Sequence, residues 1–362
     1  MRVLHVFHRY PNATFYHHFL NATKVLRSEG IVKTLVFEKN RKVDHNVLSF
    51  RGIDRLQRLK FKFGLSKTEN VFVKIAMEYD VIHVHQSFLF RKVLPLLDKT
   101  NRPKIIITLR GGDTYLKPEI DPDWKLFYSN YGNLIDAFIV QSEHQRDFLI
   151  KYLGVNRERL FISSVSLSLE KKFERQEAKK SNKILRIISA FRLTWEKNIE
   201  GNLRVIKLLK ESGILLKYTI CGDGDQIDLT KYFIKRYNLE DVVELKGMLE
   251  VHDYFNELKN NHLFLQLSYS ESLPASVLEA QGFGLPSIVS DAGGLAESII
   301  HDKTGFVIKD YNYKMAAQKI RELWNDEEMY KDFSLRSIRN VETRFTVEHE
   351  VQRLKTLYAN VL

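Results

Sequence analysis

Short runs rich in β-branched and aliphatic residues recur along the chain, separated by stretches whose apolar positions follow a helical period. In the first half the runs are Val3 to Phe7, Lys33 to Phe37, Val81 to His85, Lys104 to Leu109, Ala137 to Val140 and Leu160 to Ser163. In the second half they are Ile184 to Ser189, Leu216 to Cys221, Val242 to Leu245, Leu263 to Leu267, Ser287 to Ser290 and Gly305 to Ile308. Runs that are apolar almost throughout suit strands buried on both faces, and the intervening helices are the crossovers that parallel strands require. Two such series predict an α/β protein of two Rossmann-like, doubly wound parallel-sheet domains facing across a cleft, with ligands at the strand C-terminal ends. The charged segment KKFERQEAKKSN at 171–182 breaks the pattern and reads as a linker. It separates an N-terminal domain over 1–170 from a C-terminal one over 183–345, and a last helix begins near Val347.

A chain of 362 residues is long for one core and suits two. The single cysteine, Cys221, forbids an internal disulfide and agrees with a reducing compartment. Met1-Arg2 leads directly into a short apolar run, unlike a signal peptide, and no apolar run approaches the roughly 18 residues of a spanning helix. The expected location is cytoplasmic.

Charge changes the picture more. Residues 1–175 carry 30 Lys and Arg against 18 Asp and Glu, whereas the remainder carries 26 against 27, so the net charge of +11 is N-terminal in origin. Such a balance suits nucleic acid, an anionic membrane face or an anionic acceptor. No recognition-helix or stacking-aromatic motif accompanies it, so no nucleic-acid partner is expected. Within Phe50 to Phe63, Ile53, Leu56, Leu59 and Phe63 keep helical spacing among Arg51, Arg55, Arg58, Lys60 and Lys62. That pattern fits an interfacial helix on anionic lipid at the inner face of the cell membrane, or a helix packed on its own domain with a basic outer face.

The densest chemistry lies in SYSESLPASVLEAQGFGLPSIVSDAGGLAESIIHDKTGF, from Ser268. Pro274 fits the first turn of a helix and Ser272 its cap, which leaves Glu271 on the preceding loop and points Glu279 from the second turn. The amides of Ser272, Leu273 and Ala275 then lie at the positive end of a helix dipole, where unpaired N–H groups bind phosphate. The arrangement reads as a nucleotide-sugar site.

At these residues the chain resembles the retaining GT-B glycosyltransferases of family 4, of bacterial polysaccharide-assembly type. Their signature is two Glu separated by seven residues, then G-x-P and G-G-x-x-E; Glu271, Glu279, Gly284-Leu285-Pro286 and Gly293-Gly294-Leu295-Ala296-Glu297 match it in order. The resemblance implies that Glu279 holds the ribose hydroxyls and that Glu271 lies at the donor sugar near the reacting carbon. It extends to Ala190-Phe191-Arg192-Leu193 and Glu196-Lys197-Asn198, similar to the family's G-R-L-x-x-x-K-G segment, which places Arg192 and Lys197 on the donor diphosphate. Ala190 and Asn198 depart from the family's glycines. Gly222 and Gly224 match its G-x-G turn, and Lys246-Gly247-Met248 its F-x-G segment beside the nucleobase. The intervening Asp223 and Asp225 imitate a metal-binding Asp-x-Asp of the GT-A architecture, but in this place they are expected to be solvated, with no metal and no cofactor. The last helix would cross back onto the N-terminal domain.

In the N-terminal half, Thr108 to Asp113 has Arg110 where the family commonly has a His, so Arg110 and Asp113 join Glu271 as catalytic candidates. Arg110 could reach a phosphate or an acidic sugar, and Asp113 could order the loop or act on the acceptor. His83 and His85 match a D-x-x-H-x-H strand end. The loop from His8 to His18 lacks the family's glycines, which hinders close backbone approach to a diphosphate and suits it to an acceptor. The resemblance implies a retaining, metal-independent transfer from a UDP- or GDP-linked sugar to a glycan or lipid-linked acceptor in surface polysaccharide synthesis. The rival readings are a GT-B sugar-nucleotide epimerase and a catalytically silent nucleotide-sugar-binding subunit.

Overall fold

The computed structural model describes residues 1–10, 17–39, 47–49, 71–167 and 184–362. The linker at 171–182, the basic segment at 50–63 and residues 11–16 of the first loop therefore lie outside the described residues. Two compact units are present, Met1–Ser166 with Val347–Leu362, and Leu167–Thr346. The division falls at Ser166 rather than at 170, because the Leu167 amide donates to the Phe345 carbonyl at 2.8 Å and Leu167 pairs with Thr346. At its other end the division leaves the helix Val347–Val361 in the first unit.

The first unit is built on β1 (Val3–Tyr10), β2 (Val32–Lys39), β3 (Val47–Ser49), β4 (Val81–Val84), β5 (Lys104–Thr108), β6 (Ala137–Val140) and β7 (Leu160–Ile162). Among the described residues they form one sheet in the order β3-β2-β1-β4-β5-β6-β7, every pair parallel. Strand β3 was not foreseen, since three residues are too few to show a period. Neighbouring residues on a strand feed opposite faces, as the pleat requires. Leu4, Ile82 and Ile105 join one apolar cluster with Phe90, Phe127 and Tyr128, whereas Val3, Val81 and Ile106 join another with Leu26, Leu354 and Tyr358. The sheet is thus covered on both sides, and the C-terminal helix supplies part of one cover.

That helix is also fixed by polar contacts. The Tyr358 hydroxyl lies 2.7 Å from His5 Nε2 and 2.7 Å from His83 Nδ1, while His83 Nε2 meets Thr108 Oγ1 at 2.7 Å and His85 Nε2 meets His5 Nδ1 at 2.9 Å. His85 Nδ1 has no partner among the described residues. An unpaired lone pair is less costly than an unpaired N–H, so the network assigns the protons: His85 Nε2–H donates to His5, His5 Nε2–H to Tyr358, Tyr358 O–H to His83, and His83 Nε2–H to Thr108. All three imidazoles are then neutral, and burial pushes each one's pKa down, His5 to about 3.

The second unit carries β8 (Leu185–Ala190), β9 (Leu216–Cys221), β10 (Val243–Gly247), β11 (Leu263–Gln266), β12 (Ser287–Ser290) and β13 (Gly305–Ile308), in the order β10-β9-β8-β11-β12-β13, all parallel. Strand β10 runs past the expected Leu245 because Gly247 still pairs with Cys221. The same alternation recurs: Ile187, Leu265 and Ile288 pack with Leu203 and Ile320, while Ile188, Phe264 and Val289 pack with Val277 and Leu258. The strand order reverses between β8 and β11. In a doubly wound sheet, that switch point leaves a crevice between the two departing loops at the strand C-terminal ends.

Candidate functional site

The loops that leave β8 and β11 carry Lys197 and Glu271, and these meet: Lys197 Nζ lies 2.6 Å from Glu271 Oε1. Both side chains are largely buried. Gln266 Nε2 donates to the same oxygen at 2.7 Å and Ser268 Oγ at 3.0 Å, and Ser276 Oγ holds Gln266 by its Oε1 at 3.2 Å. Three donors on one carboxylate oxygen fix the side chain. Among the described residues no donor sits on Oε2.

Lys197 is placed by two asparagines. Asn198 adopts φ +48°, a left-handed conformation that Asn tolerates better than most residues, which is why it can stand where the family has Gly. Its Oδ1 accepts from the Gly201 amide and caps the helix Ile199–Glu211, while its Nδ2 donates to the Leu267 carbonyl at 2.8 Å. Asn202 Nδ2 donates to the Lys197 carbonyl at 3.1 Å, and its Oδ1 accepts from the Leu267 amide at 3.1 Å. The two loops are therefore stitched together directly behind the ion pair. Arg192 is exposed and pairs with Glu196 at 3.6 Å instead.

Glycines set the backbone around these groups at two points. Gly293 has φ +58°, and a Cβ there would lie 2.3 Å from the Glu271 carbonyl, which also accepts from the Gly294 amide at 2.9 Å. The double-glycine turn is thus a backrest for Glu271. Gly222 has φ +132°, a Cβ there would stand 1.9 Å from the Phe191 carbonyl, and its amide donates to the Gly247 carbonyl at 2.7 Å. This close approach joins the ends of β8, β9 and β10. Met248, next to Gly247, is 47% exposed. Asp223 folds back on the Gly224 amide at 2.8 Å, and both it and Asp225 are exposed.

Behind the loop, the helix Ala275–Gly282 begins two residues later than a cap at Ser272 implies. Pro274 occupies its cap with extended φ −75° and ψ 123°, so the capping role read for Ser272 is not taken up at that position. Ser272 and Leu273 lie buried just ahead of it, and the first amides of the helix have no partner within the helix. Glu279 faces inward from the second turn and is 6% exposed. The buried Tyr254 hydroxyl lies against it; burial first, and then the Glu279 charge, pushes the Tyr254 pKa well up.

The N-terminal candidates stand in the first unit. The Asp113 carboxylate accepts from the Arg110 and Gly111 amides at 3.0 Å and from Ser87 Oγ. Its pKa is raised by burial, against the pull of these donors. These bonds tie the Asp113 side chain to the backbone of its own loop and to Ser87. The half-buried Arg110 lies in the electrostatic range of Asp113 and Glu350, the latter bonded to Ser166 Oγ. Gln266, Ser268, Asn202 and Tyr254 were missed in the sequence because single polar residues at strand ends carry no period; Gln266 in an otherwise apolar strand was the available signal.

Among the described residues no helix is long and apolar enough to cross a membrane. Residues 4–163 match the model of Glycosyltransferase Family 4, and residues 170–339 that of Glycosyl transferases group 1. WcaL of Escherichia coli K12, assigned by name to colanic acid biosynthesis, is 28% identical over 177 residues, covering 47% of this chain and 43% of WcaL, so the chain spans under half the length of that relative. N-acetyl-alpha-D-glucosaminyl L-malate synthase of Bacillus anthracis is 24% identical over 95% of this chain and 89% of its own. Among solved structures, Anabaena HepE in complex with UDP and glucose superposes with a TM-score of 0.79 at 16% identity over 99% of each chain.

Proposed function

Because the chain belongs to the family 4 glycosyltransferases of GT-B fold, we propose that it transfers a sugar, with retention, from a nucleotide diphosphate donor to a glycan or lipid-linked acceptor in surface polysaccharide synthesis. The observation that carries this reading is the Lys197–Glu271 pair at the β8/β11 switch point, with Glu279 buried on the following helix. A donor diphosphate beside Lys197 shares its ammonium with Glu271, and Arg192 offers a second cation from the same loop. As the bond from the sugar's anomeric carbon to the diphosphate breaks, these cations stabilise the charge gathering on the leaving group. Glu271 Oε2 accepts from a sugar hydroxyl, and Glu279 holds the ribose. The acceptor oxygen attacks from the leaving-group face, and its proton passes to a diphosphate oxygen. The sole thiol, Cys221, is unsuited as a nucleophile, since burial and then the charge of Glu257 push its pKa to about 12.

Support comes from relatives named for colanic acid and amylovoran biosynthesis. The donor is read as UDP- or GDP-linked. The acceptor role falls to the first unit, whose basic charge suits an anionic acceptor or membrane face. The test is incubation with UDP- and GDP-sugars and candidate lipid-linked acceptors, with release of nucleoside diphosphate and the anomeric configuration followed by NMR. Retained configuration, turnover that persists in EDTA, and loss of about a hundredfold or more on Lys197→Ala are expected. An inverted product, an isomerised donor without transfer, or nucleotide binding without turnover would each sink the reading. Sedimentation with anionic liposomes, fading as salt rises, checks the membrane contact.

A further inference from the structure

Tyr269 lies between Ser268 and Glu271 on the loop that follows β11, and its amide donates to the Glu196 carbonyl at 2.7 Å. Its backbone is thereby tied to the segment that carries Lys197. Its ring nonetheless remains 45% exposed. Beyond β13, Asp310 and Tyr311 adopt φ +52° and +48° in succession. A bulky side chain in the left-handed region is an outlier that persists only where surrounding contacts impose it. Tyr311 meets Tyr269 edge-on, with ring centroids 5.0 Å apart and an interplanar angle of 68°. The Tyr313 hydroxyl bonds to Tyr269, and Asn198 donates to that hydroxyl at 3.4 Å. Two loops, one of them strained, thus hold the exposed Tyr269 ring two residues from Glu271 on a loop whose backbone is tied to the Lys197 segment.

We propose that Tyr269 is a stacking platform for the pyranose ring of the donor sugar, held in orientation by Tyr311 and Tyr313; this rests on the nucleotide-sugar reading of the site. A pyranose presents a face of C–H groups ringed by hydroxyls. The negative face of an aromatic ring complements the former, while a fixed carboxylate such as Glu271 takes the latter, the mixture of aromatic surface and few oriented polar groups typical of small-ligand sites. Burial and contact with Tyr313 raise the Tyr269 phenol to about 12, so it stays neutral across the working range.

Calorimetric titration of the full chain with UDP, UDP-glucose, GDP and GDP-mannose tests this, using wild type, Tyr269→Ala, Tyr269→Phe and Tyr311→Gly. For the nucleotide that binds, the sugar-bearing form should bind more tightly than the bare diphosphate. Tyr269→Ala should weaken the sugar-bearing form roughly threefold to tenfold and leave the bare diphosphate within about twofold, whereas Tyr269→Phe keeps the ring and its contact with Tyr311 but loses the bond to Tyr313, so its loss should be smaller than that of Tyr269→Ala. Tyr311→Gly removes the ring and relieves the left-handed strain, so it should stay folded by circular dichroism and show the same selective loss. Equal loss for both forms, or no loss, would overturn the platform and leave the nucleotide-sugar reading standing. Failure of wild type to bind any of the four would overturn that reading and the platform with it.

Discussion

His5, His83 and His85 are neutral and buried, each with a pKa below the ordinary 6.5. The unfolded chain therefore binds more protons than the folded one as soon as pH drops below that value. The stability contributed is complete above pH 6.5 and is lost as pH falls toward about 3, where His5 titrates, by up to about 1.4 kcal/mol per pH unit for each histidine. Urea unfolding of the first unit at pH 7.5 and pH 5 should show the loss; equal midpoints would contradict neutral, buried imidazoles. Tyr358→Phe keeps the ring and leaves the His5 N–H and the His83 lone pair unmatched, so about 1–3 kcal/mol of stability should go. In the second unit, Glu279→Ala removes a charged group expected at the ribose. Hydrogen bonds to such a group are worth about 1.5–3 kcal/mol, so donor affinity should fall roughly tenfold to a hundredfold, read by calorimetry on a variant shown to be folded by circular dichroism.

At the scale of elements, the helix Val347–Val361 is legible as amphipathic, with Val347, Val351, Leu354, Leu357 and Tyr358 buried on one stripe. Where that stripe docks was not legible from spacing alone, because its partners Val3, Val81, Ile106 and Ile139 lie far away in sequence. Leu354→Ala should cost about 2–5 kcal/mol, seen as a fall in the first unit's unfolding midpoint. The turn Gly293-Gly294 is the counterpart in the second unit. Gly293→Ala sets a Cβ against the Glu271 carbonyl, so turnover should fall well below wild type while the secondary structure by circular dichroism is kept. Full activity in that variant would remove the backrest role.

At the scale of the molecule, two sheets with separate cores make two cooperative units. A nucleotide sugar held by Lys197, Glu271 and Glu279 should therefore protect one of them preferentially. At a hundredfold excess over Kd, linkage supplies about 2.7 kcal/mol, and hydrogen exchange should slow within 184–346 far more than within 71–167. Protection spread evenly, or confined to the first unit, would place the nucleotide elsewhere.

Strand periodicity, the Glu271-to-Glu297 series and the glycine turns were legible in the chain because each is a local pattern: apolar runs, fixed spacing, residues that permit unusual backbone. These determined two doubly wound sheets and a nucleotide-sugar reading. The approach of Lys197 to Glu271, the use of Asn198 and Asn202 as stitches, the histidine relay ending at Tyr358 and the exposure of Tyr269 were decided only in three dimensions. Each depends on which strand ends become neighbours at the reversal of a sheet, and that adjacency is set by long-range packing that no single segment encodes.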